Sequence, residues 1–330
     1  MLGTILIFNK LPRMAVGILL SALVLVACGG EGAEDEERMR IVATTSIAGD
    51  LVTRIAGNDA EVVVLMPVGS DPHDFRPSSQ QVAELRSADL VVAWGLGLEE
   101  GLADVLEAAE SDGVRVLELS ARLDPIEFSA PAEDDHATGD EDHSEDEDHA
   151  EDEHDHALDP HTWTDPVRMA QAARLIGSAL AEVAPDGDWP ARAEALAAEM
   201  LEVHDQVTAI LSTIPDERRK LVTNHDSLGY FAERYGFEIV GIAIPGGSTL
   251  TSPSSAQIAE LVHAIEEAGL TVVFAESTSS PALLEAAAAE VGDVTVVELL
   301  EGSLAPPGQP GDTVAGMLVH NARLIAEALG

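Results

Sequence analysis

The chain has 330 residues, with 17 Lys plus Arg against 60 Asp plus Glu and a formal net charge of -43 at pH 7 with histidine neutral. A chain this acidic is repelled by phosphates and cannot release their counterions, which excludes nucleic acid as a partner. Aromatic residues make up only 3%, so its cores must be built from Ala, Val, Leu and Ile, and the length suffices for two lobes.

The N-terminus carries Lys10 and Arg13, then an uncharged apolar run over 15–27 that ends Leu25-Val26-Ala27 before Cys28-Gly29-Gly30. These are the marks of a secretory signal, usable from Met1 or from Met14, and the run falls short of the roughly 20 apolar residues a membrane span needs. The small residue before Cys28 is similar to a bacterial lipoprotein cleavage box. Cys28 is the single cysteine; a free or intermolecular thiol is one reading of it, and lipid attachment, tethering a soluble body to the extracytoplasmic face of a membrane, is the one expected here. Residues 1–27 are then a lipoprotein signal peptide and 28–38 an acidic spacer, too charged and too poor in apolar residues to fold.

Strands and helices alternate from there. Period and breakers predict strands at 40–44, 60–66, 89–94 and 114–119, with helices at 47–56, 78–87 and 99–110. This is the pattern of a parallel sheet covered on both faces. Residues 133–156 follow with 14 Asp or Glu and five histidines, His136, His143, His149, His154 and His156; a disordered loop over 129–158 is expected. A helix at 165–184 leads to a longer one at 189–212. There Leu196, Met200, Val203, Val207 and Ile210 form one apolar stripe, and at 1.5 Å per residue the helix spans roughly 36 Å. It is long enough to run behind both lobes and to limit their closure. The second series has strands at 220–223, 237–243, 271–275 and 294–299 and helices at 227–235, 254–267, 281–291 and 313–329. The fold class is therefore α/β: an N-terminal parallel-sheet lobe at 39–185, a linker helix at 186–214 and a C-terminal lobe at 215–330, with a cleft between the lobes.

Three histidines sit where a strand or loop turns toward a helix. His73 follows Asp71-Pro72, His161 follows Asp159-Pro160 and His225 follows Thr223-Asn224. The carboxyl ends of strands are where open α/β sheets bind ligands, the prolines stiffen two of the loops, and neutral imidazole is the commonest ligand for a borderline metal. Three such ligands with an open position suit Zn²⁺. His204, His263 and His320 fall inside predicted helices and read as ordinary helical residues. The five loop histidines suit only weak, reversible metal binding, because a disordered segment fixes no geometry. A fourth ligand stays open among Glu276 at the end of a strand, Glu301, Asp312 and water, and Glu276 also suits a role behind a ligating histidine.

Taken together, Asp71-Pro72-His73-Asp74-Phe75-Arg76-Pro77-Ser78, Asp159-Pro160-His161-Thr162-Trp163 with Asp165-Pro166, His225 with Gly229-Tyr230-Phe231 and Tyr235-Gly236, and Gly316-Met317 with Asn321 resemble the metal-binding solute receptors of ABC importers for zinc and manganese, the cluster A-I or cluster 9 family. The resemblance covers nearly the whole mature chain. It implies two α/β lobes joined by one long helix, a metal between them held by His73, His161 and His225, and a membrane permease as partner of a monomeric receptor. The chain departs from the family at one point: where many members carry an Asp as fourth ligand, it has Gly302, which leaves water, or Glu301 shifted by one, to complete the site. His-rich acidic loops are typical of zinc members, and nitrogen ligands favour Zn²⁺ over Mn²⁺, so a zinc receptor is expected, with a manganese receptor as the alternative. A zinc hydrolase is the rival from another class, since three histidines and a water also make a catalytic site; the chain has no His-Glu-x-x-His helix or nucleophile elbow, and Glu276 is the one obvious base. A cell-adhesion label, sometimes given to such lipoproteins, has no repeat or adhesive module behind it.

Overall fold

The computed structural model describes residues 38–129 and 158–330, apart from positions 245, 247 and 251. Its first sheet holds β1 (Met39–Ala43), β2 (Ala60–Val64), β3 (Leu90–Ala93) and β4 (Arg115–Glu118) in the order β2-β1-β3-β4, all pairs parallel. The second holds β5 (Lys220–His225), β6 (Glu238–Ile244), β7 (Val272–Glu276) and β8 (Thr295–Leu299) in the order β6-β5-β7-β8, again parallel. The order is the same in both, so the chain builds two α/β lobes of one design. In each, the winding reverses beside the first strand, between β1 and β3 and between β5 and β7. Such switch points open a crevice at the carboxyl ends of the strands.

The connecting helices are α1 (Ser46–Ala56), α2 (Ser79–Arg86) and α3 (Ala103–Ser111) in the first lobe and α6 (Gly229–Tyr235), α7 (Ser255–Glu267), α8 (Ala282–Val291) and α9 (Val314–Leu329) in the second. Local sequence sets their starts. In α2 and α7 the hydroxyl of Ser78 or Ser254 accepts from the backbone of Gln81 or Gln257, and the glutamine side chain reaches back, a reciprocal capping box in each lobe. Between the lobes run α4 (Pro166–Val183) and α5 (Trp189–Leu211); Asp165 caps α4 and Pro166 fits its first turn.

Helix α5 packs against α1 and α4 on one side and α9 on the other. Leu196, Met200, Val203 and Val207 are buried as the stripe requires, but Leu211 rather than Ile210 ends it. One apolar cluster runs from Ile41 and Leu51 through Met200 and Val207 to Phe274 and Ile325, so the inner faces of both lobes share a core with α5. The outer faces have their own, around Val91 and Leu106 in one lobe and Val222 and Leu284 in the other.

Two predicted spans differ. The helix expected over 99–110 opens as a 3₁₀ turn at Glu100–Leu102, because the Glu99 carboxylate turns inward to accept from Thr44 Oγ1 and from the backbone of Trp94 and Gly95. The loop expected over 129–158 has folded ends: Glu127 bridges Leu158, and Asp159 N donates to Ile126 O at 2.8 Å. These contacts draw the chain together on either side of the acidic tract. The tract's five histidines, like Cys28, lie outside the described residues.

Candidate metal centre

Each of the three histidines is set by short-range chemistry. At His161, one oxygen of Asp159 accepts both from the backbone N, at 2.8 Å, and from ring Nδ1, at 2.7 Å. That double acceptance fixes the proton on Nδ1 and leaves Nε2 as the outward lone pair. His225 is the last residue of β5, and Glu276, the last of β7 on the other side of the switch point, brings Oε2 to 3.0 Å from its Nδ1. This contact is an ion pair whose alignment falls short of a regular hydrogen bond. The His73 loop follows β2; Asp71 accepts from the His73 backbone N at 2.9 Å, and His73 Nδ1 is buried without a partner.

All three side chains are 1% exposed, and their Nε2 atoms converge. His161 Nε2 lies 3.2 Å from that of His73 and 3.3 Å from that of His225. For zinc–nitrogen bonds of about 2.0–2.1 Å, the edge of a ligand tetrahedron comes to roughly 3.3 Å. Lone pairs facing one another at such separations repel unless a cation or a proton lies between them. Among the described residues these three form the one group of His, Cys, Asp or Glu placed to hold a metal ion.

The surroundings add charge. Burial, reinforced by the other two imidazoles, lowers the His73 pKa to about 3, and burial with His225 pushes His161 well below its usual value. Burial acts on His225 in the same direction, but the Glu276 carboxylate, with Glu301 and Asp71 behind it, outweighs this and lifts it to about 9. Burial works against ionisation of Glu276 too; the His225 charge and the Thr278 hydroxyl overcome it and hold the carboxylate near 2. Desolvation raises Asp159, Asp226 and Glu301 to about 7 each, with a neighbouring carboxylate adding to the rise at Asp226 and Glu301.

Of the remaining residues singled out in the sequence, Glu276 stands against His225, and Glu301 is buried with one oxygen on the Ser227 hydroxyl and its backbone oxygen accepting from Trp163 Nε1 at 2.7 Å. Asp312 caps a loop at Gly308 N. His204 stacks on Tyr235, His263 is exposed near Glu267, and His320 is half-buried on α9, all outside the triad. Sequence reasoning read the two Asp-Pro-His motifs alike and missed that their acids differ. Asp159 orients an imidazole, while the second oxygen of Asp71 accepts from Thr249 Oγ1 of the other lobe at 2.6 Å. It also missed Ser227 and Thr278, whose one available signal was their place two residues beyond His225 and Glu276.

The profile of the family described as "ZnuA: Zinc-uptake complex component A periplasmic" matches residues 41–328. The manganese-binding lipoprotein MntA of Halalkalibacterium halodurans is 30% identical over 94% of this chain and 96% of its own length. The zinc-binding lipoprotein AdcA of Streptococcus pneumoniae is 27% identical over 93% of this chain, which spans only 59% of that relative. Among solved structures, the periplasmic zinc-binding protein TroA of Treponema pallidum superposes with a TM-score of 0.74 at 27% identity, covering 89% of this chain and 99% of TroA.

Proposed function

Since the chain belongs to the ZnuA family of periplasmic metal-binding receptors of ABC importers, we propose that it captures Zn²⁺ between its lobes through His73, His161 and His225 and delivers the ion to an importer permease. Family members are solute-binding receptors and not enzymes, so Glu276 needs no role as a catalytic base. The observation that carries the reading is the convergence of three buried Nε2 atoms at 3.2 and 3.3 Å, one of them from the second sheet. Zinc is the cargo we favour because three imidazoles are a nitrogen-rich set, whereas manganese prefers oxygen. The 30% identity to a manganese-binding lipoprotein supports manganese as the second reading. In both cases Cys28 carries a lipid that holds the receptor at the membrane, and the loop histidines His136, His143, His149, His154 and His156 bind metal weakly.

The test is calorimetric titration of the chelator-stripped protein with Zn²⁺ and with Mn²⁺, beside a variant with His73, His161 and His225 all replaced by alanine. One tight zinc site that disappears in the variant, with weaker binding left over, is the expected result. Tighter manganese binding would transfer the reading to manganese, and tight zinc binding that survives the triple substitution would overturn the assignment of the ligands.

A further inference from the structure

We propose that the strap over residues 125–129 is the gate through which metal enters and leaves the histidine triad, and that Phe128 on this strap sets the exchange rate without ligating. The inference rests on the reading of the triad as the metal site. Each of the three imidazoles is 1% exposed, so no hydrated cation reaches their Nε2 atoms unless something moves aside. Four rings close around His161: those of His73 and His225 at 5.4 and 5.0 Å, Trp163 at 5.1 Å and Phe128 at 6.4 Å. Trp163 is 1% exposed and packs on Trp94 in the core the lobes share. Of the four, Phe128 alone is partly exposed, with one side on a donor histidine and the other toward solvent.

The strap follows β4 and so belongs to the first lobe, but it is fastened to the second. Tyr230 of α6 accepts from the Ile126 backbone N at 3.2 Å, and the Asp226 carboxylate accepts from the backbone N of Ser129. A Cβ at Gly229 would stand 3.3 Å from Ile126 Cδ1 and 3.4 Å from Ser129 Oγ, so the strap runs directly across the start of α6. On its own side it is held by Asp159 N, which donates to Ile126 O, and by the bridge between Glu127 and Leu158. A short segment outside any helix or strand, tied down by a few hydrogen bonds near the surface, is the part of the wall that opens most easily. The rest is firmer: His225 and Glu276 end strands, His161 leads into α4, and Pro72 and Pro77 stiffen the His73 loop. A gate that closes alike over the empty and the loaded site has no preference between them. It therefore scales entry and exit by the same open fraction and leaves affinity unchanged.

The experiment is stopped-flow kinetics of the chelator-stripped full chain as wild type, Phe128→Ala and Ser129→Pro. Zinc entry is followed by tryptophan fluorescence, since Trp163 adjoins His161, and exit by transfer to excess chelator; the variant with all three histidines replaced by alanine is the blank for zinc bound elsewhere. With the wild-type gate open at most about 10% of the time, Phe128→Ala should raise both rate constants about 10-fold or more and leave the dissociation constant within about twofold. Ser129→Pro removes the N–H that Asp226 accepts, keeps the ring, and should shift both rate constants in the same direction. Faster exit with unchanged entry, and an affinity loss to match, would overturn the gate and make Phe128 mere packing for His161. Rates equal to wild type in both variants would overturn it as well. Should Phe128→Ala fail to fold, the paired shift in Ser129→Pro decides. Failure of the triad itself would look different: a fluorescence change that survives in the triple-alanine variant would remove the site and the gate with it.

Discussion

His225 is where the charge balance of the centre is decided. With its pKa raised to about 9, the folded metal-free protein holds a proton that the unfolded chain releases near 6.5. Stability from this group is full below that value and is lost as pH rises toward 9. Zinc needs the neutral ring, so loading at pH 7.5 should expel about one proton and affinity should climb as pH approaches 9; titrations in buffers of different ionisation enthalpy measure the count directly. His73 runs the other way. Lowered to about 3, it stays neutral when folded while the unfolded chain protonates, so its contribution holds above 6.5 and drains away as the medium becomes more acidic. Replacing Asp159 by alanine removes the acceptor that fixes the His161 tautomer and should weaken zinc binding by about 10- to 100-fold with little loss of fold. Gly302→Ala should weaken it as well, because the new methyl group drives Glu276 away from His225; a variant that binds as wild type would mean that Glu276 does not support the site.

Among the elements, α5 and the start of α4 bear the load between the lobes. Met200 is fully buried in the core the lobes share, and its replacement by alanine should cost about 2–5 kcal/mol in a denaturant titration. Asp165, wholly buried at the cap of α4, accepts from Arg168 at 2.8 Å and from Arg234 of α6 at 2.7 and 3.1 Å, while Arg168 also meets Glu233 at 3.3 Å. His161 lies four residues before Asp165, and β5 with His225 leads into α6, so this ion-pair cluster joins the elements that carry two of the histidines. Arg234 is 32% exposed and Asp165 keeps Arg168, so Arg234→Gln should cost only about 1 kcal/mol of stability. Its larger effect should fall on kinetics: zinc release into excess chelator, followed by stopped flow, should be several times faster. An unchanged release rate would mean that the cluster does not restrain the lobes.

For the molecule as a whole, the bridge between Glu127 and Leu158 joins the chain on either side of residues 130–157. Deleting residues 133–156 should leave the melting temperature and the tight zinc site nearly unchanged while abolishing the weak sites. A large loss of cleft affinity would make the tract part of the centre. The whole-chain charge of -43 draws cations of every kind toward the surface and selects none.

The alternation of strands and helices, the long apolar stripe and the three histidines were legible in the sequence, because period and loop position are local properties. Glu99 was misread as the opening of a helix, since its partners Thr44 and Trp94 are brought to it by the first sheet. The difference between Asp71 and Asp159 was hidden for the same reason: the motifs are identical, and only the opposite lobe, through Thr249, gives Asp71 another task. Glu276 and Glu301 could not be separated on spacing. Their roles depend on which oxygens the fold has already engaged, and that follows from contacts between residues as distant in sequence as Glu301 and Trp163. The sequence by itself determined the elements, the two lobes and the place of each of the three histidines in the chain; tertiary structure decided which acids stand behind those histidines, because hydrogen-bond saturation in a buried site is set by packing across the cleft.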